Sequence, residues 1–255
     1  MAQADRALVT LERDNGVGVV TLARPEKHNA LSRALLGQLV ARIEEVNADP
    51  ALRVAILRAE GPSFSVGDDL EEMLQGAPRE ADVAEVVGLF QDVTRAIMFS
   101  DVIHIGAVDG LAVGGAFSWL LNCDVTFLGP NAQGFLPEAK HGLFLSGGLS
   151  LLLPRRVGAA RAMSWLLSGR RISAQELIEA GVGLAAPNGA AAAAAAFAAP
   201  LVEYPPRALA AFKGDVRSES REDLERALAV ETKRLFQSAS DPELLTRIAA
   251  ALRKG

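Results

Sequence analysis

Cysteine, histidine and runs of basic residues are scarce in this sequence, and each scarcity excludes a class of protein. The chain of 255 residues has one cysteine, Cys123, so an internal disulfide is impossible and a thiolate metal cluster is not indicated. The three histidines stand in unrelated contexts without metal-ligand spacing, and we expect no metal ion. The formal net charge is −5 and no basic run is present. We therefore expect neither nucleic acid nor an anionic membrane surface as a partner.

Targeting and membrane signals are also lacking. The first residues, "MAQADRALVTLERDNG", do not have the charged-then-apolar layout of a signal peptide. The longest apolar candidate is alanine-rich and shorter than the roughly 18–20 strongly apolar residues that a membrane span requires. These features predict a cytoplasmic protein with no membrane partner.

Several common catalytic motifs are absent as well. Neither GxGxxG nor GxxxxGK[ST] occurs, so nucleotide binding through those loops is not indicated. No G-x-S-x-G elbow is present, which argues against a Ser-His-Asp hydrolase.

What the sequence does contain is an alternation of strand and helix patterns. Two β-branched runs flank the turn signal "DNG" and predict a hairpin, and residues 32–47 have helical apolar spacing with Ser32 as N-cap. From about residue 190 every pattern is helical. We predict an α/β core over 1–195 and a C-terminal helical region over 196–255, which acts in oligomerisation or as a lid.

Two glycine turns and one acid are the candidate chemical features. "FSVGDDL" and "AVGGAFS" each follow a strand and precede a helix, where free backbone N–H groups can form an oxyanion hole. Tight packing is the more common reason for such glycines. Glu138 lies in an apolar, glycine-rich stretch and is either a loop charge or a partly desolvated acid–base group. The residues alone do not name a reaction.

Five segments together decide the interpretation: "LARPEKHNALS", "GPSFSVGDDLEEM", "AVDGLAVGGAFSWLLNCDV", "GFLPEAKHGLFLSGGLSLLLPRRVGAARA" and "LLSGRRISAQELIEAGV". Their order and spacing resemble the enoyl-CoA hydratase/isomerase (crotonase) family over essentially the whole chain. The resemblance implies an α/β fold, a crotonase-like spiral of repeated ββα units with a C-terminal helical region. It also implies a homotrimer or a dimer of trimers, and we expect the apolar faces of the tail helices to lie at the subunit interface.

The resemblance also implies roles for individual residues. The backbone amides of Val66 and Gly115 are expected to form the oxyanion hole, both pointing into one cavity, and Glu138 falls where the family has a catalytic glutamate. Ser118 stands where hydratases of the family have a second glutamate, and it could still hold a water. Residues expected near the coenzyme A moiety are Lys27, Ala30, Asp68, Leu70 and Lys213; for Lys213 a solvated surface position is equally compatible.

One carboxylate suffices to move a proton between C2 and C4 of an acyl thioester, whereas hydration generally uses two acid–base groups. We therefore expect an enzyme that isomerises the double bond of an acyl-CoA thioester, with Glu138 as acid and base. Coenzyme A is part of the substrate, and no separate cofactor is expected. The alternatives are a weak or specialised enoyl-CoA hydratase and a non-catalytic acyl-CoA binding protein.

Overall fold

A parallel sheet with one antiparallel edge forms the larger layer of the protein. The computed structural model describes residues 7–74, 80–217 and 219–252. In spatial order the strands of this six-stranded sheet are β1 (Val9–Asp14), β2 (Val17–Leu22), β3 (Val54–Ala59), β5 (Ile103–Val108), β7 (Val125–Leu128) and β10 (Leu184–Ala185). Only the β1–β2 pair is antiparallel. The predicted hairpin is confirmed, since Asn15 and Gly16 both have the positive φ values that its tight turn requires.

The second sheet is smaller and has four strands. Its order is β4 (Ser63–Ser65), β6 (Leu111–Val113), β8 (Gln133–Phe135) and β9 (Arg171–Ser173). The first three strands run parallel to one another, and β9 is antiparallel to β8. Parallel neighbours place their carboxyl ends at the same edge of a sheet, so the segments that follow β4, β6 and β8 lie side by side.

Helices connect the strands and form the C-terminal part of the described chain. Their bounds are α1 (Arg33–Ala48), α2 (Leu70–Leu74), α3 (Glu80–Met98), α4 (Gly115–Asn122), α5 (Glu138–His141), α6 (Leu149–Val157), α7 (Ala159–Ser168), α8 (Ala174–Glu179), α9 (Ala190–Leu201), α10 (Pro206–Val216), α11 (Arg221–Ala239) and α12 (Leu244–Leu252). Helix α1 begins as the sequence predicts, because the Ser32 hydroxyl accepts a hydrogen bond from the Leu35 amide at 3.2 Å. None of the described helices is long and apolar enough to cross a membrane.

The expected α/β architecture with a helical C-terminal region is confirmed, but the reasoning about the tail is wrong. Leu224, Leu228, Leu244 and Ile248 are buried within the chain itself, so these faces need no second subunit to cover them. The division into 1–195 and 196–255 stays a prediction, and its boundary falls inside α9. The oligomeric state also stays a prediction.

Candidate active site

The turns after β4, β6 and β8 meet at one cavity of about 300 Å³. Asp68 precedes α2, Gly115 begins α4 and Glu138 begins α5, and all three residues line this cavity. The apolar part of the lining includes Val86, Phe90, Leu143, Phe144, Leu235 and Leu244. The adjacency of three parallel strands is therefore what brings three distant sequence segments to one site.

Glu138 is a buried carboxylate in the lining of this cavity. It is the first residue of the short helix α5, directly after Pro137, and only 8% of the residue is exposed. Its Oε2 atom has no hydrogen-bond partner within the described part of the chain. Burial raises the pKa of Glu138 to about 7, with a smaller contribution from the negative charge of Asp68. A carboxylate with a pKa near neutrality can both accept and release a proton during a reaction.

The Gly115 amide is one free donor beside this carboxylate. It belongs to the first residue of α4, so no intrahelical acceptor exists for it, and no other described residue accepts its proton. The preceding Gly114 has a φ of 55°, and a Cβ atom there would lie 3.0 Å from Glu138 Oε1. Glycine at 114 therefore lets the turn approach the carboxylate closely.

The predicted role of the Val66 amide is wrong. That amide donates to the His28 carbonyl at 3.1 Å, and Val66 does not line the cavity. The free donor in this turn is the amide of Asp68. The Leu31 amide donates to the Gly67 carbonyl at 2.8 Å, and the Asp69 amide donates to the Leu31 carbonyl at 3.3 Å. These two hydrogen bonds form a parallel bridge between Leu31 and Asp68. The Asp68 amide therefore points away from Leu31, and it has no acceptor among the described residues.

The Asp68 side chain is a second carboxylate in the cavity, and the sequence analysis did not expect it beside Glu138. It is half-buried, and within the described chain it forms no hydrogen bond or ion pair. Burial raises the pKa of Asp68 to about 6. Its neighbour Asp69 behaves differently, since it pairs with Arg24 at 2.6 Å and accepts the Glu72 amide at 3.1 Å as the cap of α2.

Ser118 does not face the cavity, so its expected role in holding a catalytic water is not supported. The side chain is fully buried, and its hydroxyl donates to the Gly115 carbonyl at 2.6 Å. A Cβ atom on Gly147 would lie 2.1 Å from the Ser118 Oγ atom, which shows how closely the Gly147 turn covers this residue. The hydroxyl therefore forms its hydrogen bond within the first turn of α4.

Lys213 is neither a ligand for a coenzyme A phosphate nor a solvated surface lysine, and both expectations are wrong. Its ammonium is buried and donates to the carbonyls of Ile97 and Val102, each at 2.8 Å. It also pairs with Asp124 at 3.0 Å. These contacts join α10 to the end of α3 and the start of β5.

The remaining residues expected near coenzyme A lie outside the cavity lining. The exposed Lys27 pairs with Glu71 at 2.6 Å, at the start of α2. Ala30 is buried, and its carbonyl accepts a hydrogen bond from Arg24 at 3.0 Å. Leu70 is the first residue of α2. Their contact with coenzyme A stays a prediction.

The C-terminal helices, for which the sequence predicts a role in oligomerisation or as a lid, contribute a cavity wall. Leu235 and Ser238 of α11 and Leu244 at the start of α12 all line the cavity. The Ser238 hydroxyl donates to the Gly142 carbonyl at 2.6 Å, which holds α11 against the loop after α5. No local sequence signal marks these residues, because their contacts span about a hundred residues of chain.

Comparisons with known proteins identify the family of this chain. A family model described as enoyl-CoA hydratase/isomerase matches residues 12–244. The chain is 32% identical to the 2,3-dehydroadipyl-CoA hydratase of Escherichia coli, over 96% of this chain and 95% of that protein. It is 34% identical to 4-chlorobenzoyl coenzyme A dehalogenase-2 of Arthrobacter over 68% of this chain, and the match spans 64% of the dehalogenase.

Solved structures show the same fold. The enoyl-CoA hydratase of Bacillus halodurans superposes with a TM-score of 0.88 at 26% identity, covering 96% of this chain and all of that chain. The match of the family model over nearly the whole length, together with the shared fold, leads to one conclusion. This chain belongs to the enoyl-CoA hydratase/isomerase family.

Proposed function

We propose that this protein isomerises the double bond of an acyl-CoA thioester, converting a 3-enoyl ester into the conjugated 2-enoyl ester. The observation that carries the proposal is the Glu138 carboxylate, which is buried, has a free oxygen atom and shares its cavity with two free backbone amides. An acid–base group beside an anion-stabilising pair of donors is the minimum needed for enolate chemistry.

The amides of Asp68 and Gly115 bind the thioester oxygen in this mechanism. As the proton leaves C2, negative charge moves onto that oxygen, and the fixed N–H groups stabilise it without reorganisation. Loss of one such donor typically raises the barrier by about 2.7–4 kcal/mol. Both donors belong to residues at turns whose backbones are fixed by parallel strands, so their directions are set before substrate binds.

Glu138 moves the proton. The ionised carboxylate removes a proton from C2, which breaks a C–H bond and generates a dienolate. The same carboxyl group returns the proton to C4, so the double bond shifts from C3–C4 to C2–C3 and no atoms are gained or lost. The reaction is redox-neutral, and coenzyme A enters as part of the substrate rather than as a separate cofactor.

Turnover of 3-enoyl-CoA, followed through the absorbance of the conjugated product, tests this function. Glu138→Gln should lower turnover by about 10²–10⁴-fold, the usual contribution of a positioned acid–base group, while the ester still binds. Glu179→Gln removes an exposed carboxylate outside the cavity and should leave turnover unchanged. A wild-type protein that binds the ester without converting it is a non-catalytic acyl-CoA binder, and this outcome would refute the proposal.

A further inference from the structure

The helix that carries Glu138 is too short to fix its own position. Helix α5 has only four residues, and a single helical turn gains too few internal hydrogen bonds to be stable by itself. Glu138 is its first residue, so the direction of the carboxylate depends on where α5 lies. On the N-terminal side, strand β8 is fixed because the Gly114 amide donates to the Phe135 carbonyl at 3.0 Å. The C-terminal side of α5 depends on contacts from other elements.

Two side chains from the C-terminal helices provide those contacts. The last carbonyls of a helix have no intrahelical partner and need other donors. Arg247 of α12 donates through Nε to the His141 carbonyl at 3.0 Å, and Ser238 of α11 donates to the Gly142 carbonyl at 2.6 Å. The donors lie 106 and 96 residues further along the chain than their acceptors. The position of α5 is therefore set by the docking of the C-terminal region.

The guanidinium group of Arg247 is itself fixed in place. Its terminal nitrogens pair with Asp241 and, at 3.2 Å, with Glu243, so acids just before α12 neutralise its charge. The group lies directly against Gly142, because a Cβ atom there would be 2.8 Å from Nη2. Gly142 also has a φ of 69°, so glycine at this position both ends α5 and leaves room for the arginine. A planar group with several partners is pre-organised for its bond to the His141 carbonyl.

We propose that Arg247 is a positioning residue for the reaction: it holds the end of α5 and thereby keeps the Glu138 carboxyl group buried against Gly114 while the proton moves from C2 to C4. Arg247 is not among the described residues that line the cavity, so it acts through the backbone of α5 rather than on the substrate. This role rests on the proposed function, in which Glu138 moves the proton. Leu244 of the same helix does line the cavity, so α12 both forms part of the wall and fixes the acid.

Loss of the Arg247 contact should change the reaction differently from a simple loss of stability. A displacement of about 1 Å in a positioned group can cost about 10²-fold in rate. When α5 is displaced, the Glu138 carboxylate gains contact with water, and the burial that raises its pKa to about 7 is reduced. The pKa should therefore fall toward the ordinary value of 4.5. The other charged groups nearby, Asp68 in the turn after β4 and Lys140 and His141 on α5 itself, are unchanged by a substitution at Arg247.

Arg247→Met removes the donor and the charge but keeps a long apolar side chain. In folded protein we expect kcat for 3-enoyl-CoA to fall by about 10-fold or more, because the acid is displaced. KM should change by less than about threefold, since the buried Leu244 and Ile248 keep α12 packed. The rise of kcat/KM with pH, which follows ionisation of Glu138, should move to lower pH than in the wild type.

Two further variants serve as controls for the kinetic measurements. Arg247→Lys retains a donor on a flexible stem that can approach the His141 carbonyl, and it should recover part of the lost kcat. Arg226→Met on α11 removes an equal charge from exposed ion pairs with Glu222 and Asp223, and it should match the wild type in kcat and in its pH profile.

Hydrogen exchange of the free protein tests the contact without any turnover. The amides of Gly142 and Leu143 both donate to the Glu138 carbonyl, and in Arg247→Met their exchange should be faster by about 10-fold or more. Amides inside α1, which lies outside this contact, should exchange as in the wild type.

The kinetic and exchange results together decide the role of Arg247. A folded Arg247→Met with lower stability but normal kcat and a normal pH profile would overturn it, as would unchanged exchange at Gly142 and Leu143. Arg247→Gln replaces this variant, under the same criteria, if Arg247→Met does not fold. A wild type that binds 3-enoyl-CoA without converting it refutes the proposed isomerase function. Faster exchange in Arg247→Met would then still support Arg247 as the residue that fixes Glu138, and unchanged exchange would overturn both proposals.

Discussion

Glu231, a buried acid in the C-terminal region, is the residue on which we expect the shape of the active-site cavity to depend. It lies on α11, and its two carboxylate oxygens accept the amides of Gly148 at 2.9 Å and Ser150 at 2.8 Å. These amides are at the start of α6, directly after the turn that contains Ser146 and Gly147. Since Ser146 lines the cavity, Glu231 fixes the position of one cavity wall from outside the site.

The two hydrogen bonds of Glu231 determine how much stability its replacement should cost. Hydrogen bonds to a charged group contribute about 1.5–3 kcal/mol each, but burial of the carboxylate opposes them, as the raised pKa of Glu231 shows. Glu231→Gln keeps one acceptor and turns a donor toward the other amide, so the free energy of unfolding should fall by about 1–2 kcal/mol. Glu231→Ala leaves both amides without a protein partner and should cost about 3 kcal/mol.

Urea unfolding at constant protein concentration measures these losses, and the m-value should stay unchanged if only native contacts are removed. The matched control is Glu222→Gln on the same helix, whose exposed pair with Arg226 should contribute less than about 1 kcal/mol. In the Glu231 variants the KM for the acyl-CoA substrate should also rise, because the turn before α6 loses its fixed position. If Glu231→Ala costs no more than Glu222→Gln, the two hydrogen bonds do not hold this wall and the reasoning is wrong.

Three further predictions concern other parts of the molecule. The pKa of Glu138 is raised from 4.5 to about 7, so the native state binds the proton of this carboxyl group more tightly than the unfolded chain does. The stability that this group contributes therefore falls as the pH rises from about 4.5 to 7. Glu138→Gln should therefore raise the free energy of unfolding at pH 8 by about 1–3 kcal/mol in a denaturant titration, and equal stability of the two proteins would contradict this assignment. Lys213→Met should destabilise the fold by about 3 kcal/mol without changing KM, since it breaks a buried pair; a raised KM with normal stability would instead favour a ligand role. Light scattering should give three or six times the mass of one chain, because large apolar side chains such as Leu167, Phe212 and Val216 are exposed on the single chain. A stable monomer would exclude the trimer and the dimer of trimers.

Local patterns in the sequence predict most individual elements correctly. The hairpin at Asn15–Gly16 and the cap at Ser32 are present in the structure, and so is the capping box that the spacing of Ser173 and Glu176 predicts. Each depends on interactions within a few residues, and such interactions are readable from composition and spacing. Asp241 and Pro242 also predict the start of α12, whose first residue is Leu244. The Asp241 carboxylate accepts the Glu243 amide at 2.9 Å, as an N-cap does, and it also pairs with Arg247.

The candidate site could be predicted only in part. The burial of Glu138 follows from its apolar neighbours, and the free amide of Gly115 follows from its place at a helix start. The choice between Val66 and Asp68 could not be made from the sequence, because every residue of that turn has an amide. The bridge to Leu31 decides which amide remains free, and Leu31 lies more than thirty residues away in the chain.

The sequence by itself determined the alternation of strands and helices, the two glycine turns and a single acid in an apolar segment. These features depend on side-chain periodicity and backbone preference over short distances. Tertiary structure alone decided that Asp68 and Glu138 share a cavity, that Ser118 is buried outside its lining and that Lys213 is buried in a polar network. The physical reason is that burial and hydrogen-bond pairing are properties of the packed chain. They arise where β4, β6 and β8 align in one sheet and where α11 and α12 return to cover its edge.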